Sequence, residues 1–306
     1  GIVGLTTAFL LAKEKLSVTL LDADRIGYGA TGRNTGKVTT MHNSYAKIEK
    51  KYGLEKAKLY YEANNKALKF IKNTIYEYNI DCDFEKVPAF IYTTDENYIE
   101  DLKSEYEACL RIGIPCKYYD ELEGVPLDVK GAISFENQGQ FNPKKYINAL
   151  AELCEKLGVK IYENTPVDDL KKETDYIIKT RNNNTINSKN LVIASHTPWY
   201  DGGLKLYFGK EEANCSYLLA TDLNIDLPNG MYLSIEEPVR TFKVYNESGK
   251  KVLIIGGSDH QVGKGNIESD IYKEIEKFAE SNFNSKKFIT KWMTQDYISF
   301  DDIPYI

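Results

Sequence analysis

Apolar positions along the chain follow two kinds of spacing, the 3.6-residue period of helices and the short runs or alternation of strands. An apolar stretch at 5–12 predicts a helix, and a β-branched run at 17–21 predicts a buried parallel strand. Further helices are expected within 45–78 (a short one and then a long one), 95–112, 144–157 and 268–282. Further strands are expected within 82–93, 131–143, 159–162, 176–179 and 190–194.

The first segment has the features of a phosphate-binding turn. Gly1 and Gly4 match the last two glycines of G-x-G-x-x-G, where a missing Cβ lets backbone approach a pyrophosphate and lets a helix pack closely. The N-terminus of the following helix offers free N–H groups to phosphate. Asp22 ends the next strand at about the 20-residue spacing of the acid that binds a ribose 2′-hydroxyl. A carboxylate there would repel a 2′-phosphate, so the pattern favours an adenosine diphosphate group over NADP.

A second glycine-rich loop follows this acid, with Gly27, Gly29, Gly32 and Gly36 among small hydroxylated residues. Such a loop can present backbone N–H donors to a phosphate and lie against a flat ring. The run 26–36, IGYGATGRNTG, resembles the loop that contacts flavin and pyrophosphate in the D-amino-acid oxidase superfamily, the glycine and sarcosine oxidase group. The resemblance implies FAD as cofactor.

The resemblance extends to several later segments. It implies that backbone at Val167 lies on the adenine, that the strand 191–195 returns under the pyrophosphate, and that the turn at 302–306 approaches the flavin. The implied cofactor-binding residues are Gly1, Gly4, Asp22, Ala23, Arg25, Gly29, Ala30, Thr31, Gly32, Arg33, Asn34, Thr35, Gly36, Lys37, Val38, Val167, Ala194, Ser195, His196, Pro304 and Tyr305.

A β-rich stretch at 214–263 contrasts with these α/β blocks, because its strands follow one another with turn signals between them. The expected fold class is α/β (α+β overall), a Rossmann-like FAD-binding domain with an antiparallel-sheet substrate domain. The FAD-binding domain is expected to be discontinuous. Its segments are 1–42, 140–210 and 288–306, while the substrate domain takes 80–135 and 211–287 and a helical connection takes 43–79.

Composition narrows the function classes. The net charge of −6 and pI near 5.4 give no support for a nucleic-acid-binding surface. Five scattered cysteines without a C-x-x-C pair predict reduced thiols, a cytoplasmic protein and no metal site. No apolar run is long enough to span a bilayer. The chain begins without Met and stops at Ile306, so we expect an incomplete gene product.

A further likeness concerns partners. The segments GKVTTMH at 36–42, NQGQFNP at 137–143, Ser216-Tyr217 and IGGSDH at 255–260 resemble flavin oxidoreductases that carry a C-terminal Rieske domain. This implies a Rieske [2Fe-2S] domain as a partner beyond the present sequence.

The catalytic residues are not defined by any motif. The resemblance implies that FAD accepts a hydride at N5 from the carbon next to the amine of an amino acid or amine, with no obligatory general base. Arg240 is a candidate clamp for a substrate carboxylate, and His260 is a candidate neighbour of the flavin. A strand-edge arginine and a structural histidine are equally good interpretations. Weaker candidates are His42, His196, Lys243 and Tyr217.

Three alternatives remain open from the sequence. An NAD-dependent dehydrogenase would share the first turn but has no need of the second glycine-rich loop. A non-catalytic flavin electron-transfer module would suit a Rieske partner. A fragment without its first strand would bind no cofactor.

Overall fold

A computed structural model describes residues 1–196, 209–247, 249–264, 268–300 and 303. Its α-helices are α1 (Ile2–Lys13), α2 (Ala30–Arg33), α3 (Tyr45–Tyr52), α4 (Leu54–Glu77), α5 (Ile99–Ile112), α6 (Pro143–Lys156) and α7 (Glu268–Phe283). The strands of the first half are β1 (Thr19–Leu21), β2 (Lys37–Val38), β3 (Glu85–Thr93), β4 (Cys116–Tyr119) and β5 (Gly131–Gln140). Those of the second half are β6 (Lys160–Tyr162), β7 (Val167–Lys172), β8 (Tyr176–Thr180), β9 (Thr185–Ser188), β10 (Glu211–Asp222), β11 (Met231–Ser234), β12 (Arg240–Glu247), β13 (Lys250–Gln261) and β14 (Phe288–Ser299).

The chain divides into two compact units. The first comprises Gly1–Asn34, Asn142–Glu212 and Tyr297–Ile306, and the second comprises Thr35–Phe141 and Ala213–Asp296. The segment 35–42, predicted to belong to the FAD-binding domain, falls in the second unit. The helices of 43–79, predicted to form a separate connection, fall in the second unit as well. Which unit binds cofactor and which binds substrate stays a prediction.

The first unit is built around a small parallel pair, β1 with β6, and the helices α1 and α6 that pack on each other. α1 is apolar on most of its surface, and its Leu5 and Phe9 are fully buried. α6 is amphipathic, begins with a side-chain cap from Asn142, and buries Ile147 and Cys154. A separate antiparallel sheet in the order β7-β8-β9 completes the unit.

The second unit contains a nine-stranded sheet with the order β14-β10-β13-β12-β11-β3-β5-β2, in which β4 also pairs with β5. The pairs described residue by residue are antiparallel except for β11 with β3, which is parallel. One face is covered by α7, whose Ile275 and Phe283 pack with Leu219, Phe242 and Ile255 of the sheet. Phe242 and Val244 of β12 belong to this core. The residues that alternate with them along β12 therefore lie on the opposite face of the sheet.

A buried carboxylate joins the helices of the second unit. Glu105 on α5 accepts hydrogen bonds from the backbone N–H groups of Tyr45 and Ala46, at 2.9 and 2.8 Å. These are orphan donors of the first turn of α3, for which Ser44 provides no side-chain cap. Glu105 therefore caps a helix 60 residues away and is 3% exposed.

Most of the predicted elements are present. The pair of helices within 45–78, the helix ending before Gly113 and the β-rich stretch at 214–263 are confirmed. The strand predicted at 190–194 is wrong, because β8 pairs instead with Thr185–Ser188 and the structure assigns no strand to 189–196. An apolar run predicts burial, whereas a strand also needs a ladder partner, which periodicity does not reveal. Among the residues that the structure describes, no helix is long and apolar enough to cross a membrane.

Glu105→Ala is expected to destabilise the protein by about 2 kcal/mol, because it leaves buried N–H donors of α3 without an acceptor. Urea unfolding followed by circular dichroism measures the difference. Glu107→Ala is the matched control on the same helix, since the Glu107 side chain is 67% exposed. Equal stabilities of the two variants would contradict the capping role.

Candidate functional site

The end of β1 meets the first turn of α1 in the first unit. Asp22 continues the strand register, since its N–H donates to the Tyr162 carbonyl at 2.9 Å and its carbonyl accepts from Thr165 N–H at 2.8 Å. Its carboxylate Oδ1 accepts from Asp24 N–H at 3.0 Å, and Oδ2 lies 3.4 Å from the Gly1 nitrogen. The acid and the glycine turn are therefore neighbours, as a dinucleotide site needs.

The glycine-rich loop lies against the same helix N-terminus. Ile2 N–H of α1 donates to Thr31 Oγ1 at 3.0 Å, and the Asn34 side-chain amide donates to the Thr31 carbonyl at 2.8 Å. A Cβ added to Gly1 would lie 3.1 Å from Thr31 Oγ1, so this approach leaves little room for any other residue. The loop and the first turn thus form one surface of backbone and small side chains.

Gly32 shows why this loop needs glycine. Its N–H donates to the Gly29 carbonyl at 3.1 Å, and an added Cβ would lie 2.0 Å from the Gly27 carbonyl oxygen. Gly27 itself has a left-handed φ of +71°. Gly29 differs, because an added Cβ there would meet nothing within 4 Å.

A third segment reaches the same turn. A Cβ on Gly4 would lie 3.5 Å from Ala194 Cβ, an ordinary packing distance. The segment 191–195 therefore passes beside α1 although it forms no strand. Gly1, Gly4, Asp22, Thr31, Gly32 and Ala194 lie on adjoining elements, and their bare backbone, open helix N-terminus and carboxylate fit the diphosphate and ribose of FAD.

Other predicted cofactor residues of the first unit lie around this surface. Ala23, Arg25, Asn34 and Ser195 are exposed, Ala30 is half-buried in α2, and Val167 is half-buried at the start of β7. Arg33 lies over the Tyr28 ring at 5.9 Å. His196 has a φ of +66°, and its ring lies 5.2 Å from that of Tyr297. Pro304 and Tyr305 lie outside the described residues. For all of these, a cofactor contact stays a prediction.

Four further predicted cofactor residues belong to the second unit, namely Thr35, Gly36, Lys37 and Val38. The Gly36 carbonyl accepts from Phe141 N–H at 3.0 Å, and Val38 is buried where β2 pairs with β5. Lys37 extends its side chain inward and donates to the Tyr232 carbonyl at 3.1 Å and to Thr241 Oγ1. Tyr232 lies on β11 and Thr241 on β12, whereas Lys37 lies on β2 at the end of the strand order. The sheet therefore curls enough for one lysine side chain to reach from β2 to β11 and β12.

A second lysine lies in the interior of the same unit. Lys243 on β12 is 2% exposed, on the sheet face opposite the α7 core. Burial lowers the pKa of Lys243 to about 8, although the Glu85 charge opposes this. Burial, and then the charge of Lys243, lower the pKa of Lys37 to about 7. Neither lysine has a salt bridge within 4.0 Å in the described part of the chain.

Glu85 on β3 supplies a carboxylate that interacts with Lys243. It accepts from Gln140 Nε2 at 2.8 Å and from Asn246 Nδ2 at 2.8 Å. Its burial alone would raise the pKa, but these hydrogen bonds and the Lys243 charge lower the pKa of Glu85 below its usual value. Gln140 Oε1 is buried and finds no hydrogen-bond partner among the described residues. Glu85 and Gln140 belong to no sequence motif; the available signal for such a network was Lys243, a lysine inside an apolar strand.

The predicted catalytic residues are engaged with neighbours inside the second unit. The Arg240 guanidinium donates to Ser258 Oγ at 2.7 Å, lies 3.6 Å from Glu274 Oε2 and sits over the Phe278 ring. A substrate carboxylate would compete with these contacts for the guanidinium. His260 stacks on Tyr217, with the ring centroids 5.5 Å apart.

His42 also lies in this unit, and its Nε2 is 3.2 Å from Asn64 Oδ1. Burial lowers the pKa of His42, which favours the neutral imidazole. A substrate contact of Arg240, His260 or His42 stays a prediction.

Comparisons with known proteins identify the family of this chain. A family model described as DAO, FAD dependent oxidoreductase, matches residues 1–306. The Bacillus subtilis protein YhfW, named as a Rieske 2Fe-2S iron-sulfur protein, is 36% identical over 307 residues, covering 100% of this chain and 60% of that protein. Gamma-glutamylputrescine oxidoreductase of Escherichia coli is 27% identical over 207 residues, covering 64% of this chain and 47% of that protein. The chain thus spans only part of the length of both relatives.

A solved structure also has the same fold. The crystal structure of glycine oxidase from Geobacillus kaustophilus superposes with a TM-score of 0.77 at 18% identity, covering 100% of this chain and 82% of that one. At this identity the likeness concerns the fold alone, and it confirms the predicted fold class.

Gly32→Ala is expected to lower the free energy of unfolding by about 2 kcal/mol and to reduce the bound FAD, because its Cβ would overlap the Gly27 carbonyl. Thermal unfolding of the cofactor-free protein and the flavin absorbance of the purified protein measure the two effects. Gly29→Ala is the control for folding, since its Cβ would point into open space. A Gly32→Ala protein as stable as the wild type would refute the close approach.

Lys37→Met is expected to flatten the dependence of stability on pH. A lysine whose pKa falls on folding binds fewer protons in the folded state, so its contribution to stability rises with pH from about 7 to about 10. Urea unfolding between about pH 6 and 9 measures this slope for wild type and variant. Lys86→Met, at an exposed position of β3, should leave the slope unchanged. The same slope in Lys37→Met and wild type would contradict a buried amine.

Proposed function

Since this chain belongs to the DAO family of FAD-dependent oxidoreductases, we propose that it oxidises the carbon next to the amine of a small amino acid or amine. Membership in this family sets aside the NAD-dependent alternative. Bound FAD supplies the two-electron acceptor, and the protein supplies binding, orientation and electrostatics. The observation that carries the proposal is the surface formed by the first turn of α1, the end of β1 and the glycine-rich loop.

Each part of this surface has a distinct role in the proposal. The Asp22 carboxylate would accept hydrogen bonds from ribose hydroxyls, because it directly follows β1 beside the glycine turn. The first turn of α1 would direct its dipole, and the N–H groups that Thr31 does not already engage, to the diphosphate, since Gly1 has no side chain to cap them. Thr31 and Asn34 hold the loop in place through the hydrogen bonds described above.

The substrate class rests on two kinds of support. The family resemblance implies an amine donor, and the name of the Escherichia coli relative is that of an oxidoreductase acting on an amine-containing compound. In the second unit, Lys37 and Lys243 have no salt bridge in the described part of the chain, and a substrate carboxylate nearby would favour their protonated forms. Hydride transfer to flavin N5 is part of the same proposal.

A second candidate function is electron transfer to an iron–sulfur centre. The name of the Bacillus subtilis relative favours it, because that relative matches this chain over its whole length and extends beyond it. A Rieske [2Fe-2S] domain would then be the electron acceptor in place of oxygen. A cytoplasmic location belongs to the proposal too, since none of the five cysteines forms a disulfide.

The visible spectrum and anaerobic reduction of the purified full-length protein test the proposal. We expect flavin absorbance bands, and we expect a panel of amino acids and primary and secondary amines to bleach them without oxygen. Buffer and the corresponding alcohols, which lack the amine, serve as controls. Flavin bands that no amine bleaches would refute amine oxidation, and slow reoxidation by oxygen after bleaching would favour the iron–sulfur acceptor.

A further inference from the structure

The glycine-rich loop begins at Ile26, and two charged side chains bind the backbone of this residue. Ile26 is buried, so its N–H and its carbonyl need partners. Glu163, directly after β6, accepts a hydrogen bond from Ile26 N–H at 2.7 Å. Lys144, in the first turn of α6, donates from Nζ to the Ile26 carbonyl. These partners follow Ile26 by 137 and 118 residues, and both belong to the first unit.

A tight turn after β6 aligns the Glu163 side chain with the loop. Thr165 N–H donates to the Asp22 carbonyl at 2.8 Å. Asn164 N–H donates to the Asp24 carbonyl at 2.8 Å, and Asn164 has a left-handed φ of +50°, which asparagine adopts more readily than most residues. The backbone pairing of β1 with β6 thus continues past both strands, and the Glu163 side chain extends it to the start of the loop.

Lys144 also packs against the turn of the loop. A Cβ added to Gly27 would lie 3.0 Å from Lys144 Nζ and 3.0 Å from Ile147 Cγ2. Lys144 N–H donates to the Asn142 side chain at 3.1 Å, in the cap of α6. The lysine therefore connects the loop to the helix that packs on α1, whose first turn binds Thr31.

We propose that Glu163 and Lys144 are positioning residues for the cofactor. They fix the start of the glycine-rich loop, so that Thr31 and the loop backbone meet the first turn of α1 in the geometry that FAD requires. Neither residue needs to touch FAD, because each acts through the backbone of Ile26. This role rests on the proposed placement of FAD at that surface, and it does not depend on the substrate.

The charge of Glu163 separates this role from a direct electrostatic effect. FAD carries a diphosphate, and a nearby carboxylate repels it. If Glu163 acted on FAD through its charge alone, removal of the charge would tighten FAD binding. If Glu163 acts by holding Ile26, removal of the acceptor frees the loop and weakens FAD binding, whereas an uncharged acceptor of the same length is sufficient. The two roles therefore predict changes of opposite sign.

Titration of FAD into the cofactor-free full-length protein, followed by flavin fluorescence, measures the dissociation constant without turnover. Glu163→Ala should raise this constant about tenfold, as expected for one lost hydrogen bond to a charged group. Glu163→Gln should bind FAD at least as tightly as the wild type, because an amide oxygen can still accept from Ile26 N–H. Glu173→Ala, at an exposed position after β7 in the same unit, is the matched control and should leave the constant unchanged.

Two further variants remove the contacts in other ways. Glu163→Asp retains the charge but shortens the reach to Ile26, so it should weaken FAD binding even though the charge is unchanged. Lys144→Met should also weaken binding, and its effect should persist in about 1 M salt, which screens long-range attraction of the diphosphate. Circular dichroism of the cofactor-free variants shows that each is folded at the assay temperature.

The outcomes distinguish this role from the proposed function. Wild-type affinity in both Glu163→Ala and Glu163→Asp, or binding by Glu163→Gln as weak as by Glu163→Ala, would overturn the positioning role. A full-length wild-type protein that binds no FAD would overturn the placement of the cofactor and this role together. FAD binding that follows the expected order, without bleaching by any amine, would refute the proposed oxidation alone.

Discussion

The first unit depends on a close approach of backbone to backbone that only glycine permits. Gly32 lies so near the Gly27 carbonyl that a Cβ would come within 2.0 Å of its oxygen. This approach folds the second loop tightly enough for Thr31 to reach the N-terminus of α1. The helix end, the loop and Asp22 then form one surface, which is the proposed place for the diphosphate and ribose of FAD. A side chain at Gly32 would separate elements that are far apart in sequence.

The second unit is governed by a different constraint, the placement of charge inside a curled sheet. One face of β12 contributes Phe242 to the α7 core, whereas the alternate residue Lys243 enters the opposite face. Lys37 reaches the same region from β2, at the far end of the strand order. Two amines with lowered pKa values are costly to bury. Retaining them is consistent with a role in binding an anionic group.

Individual residues show which features of the fold and the candidate site could be predicted from the sequence. The glycine turn, the acid at 22 and the loop at 26–36 were recognisable because glycine and aspartate have few interchangeable roles in such turns. The sequence left Arg240 open between a carboxylate clamp and a strand-edge arginine, and the structure pairs it with Glu274 of α7. Glu105 belongs to no sequence motif, yet it caps α3. Pairings of this kind depend on long-range contacts, which periodicity does not contain.

The sequence by itself determined most of the order of helices and strands, the cofactor class and the family resemblance, because these depend on local spacing and on rare residue types. The tertiary structure decided the rest. It replaced the strand expected at 190–194 by β9 and brought Ala194 beside Gly4. It also turned two lysines inward. These outcomes depend on which surfaces meet when the chain folds, and residues that meet in this way leave no local pattern.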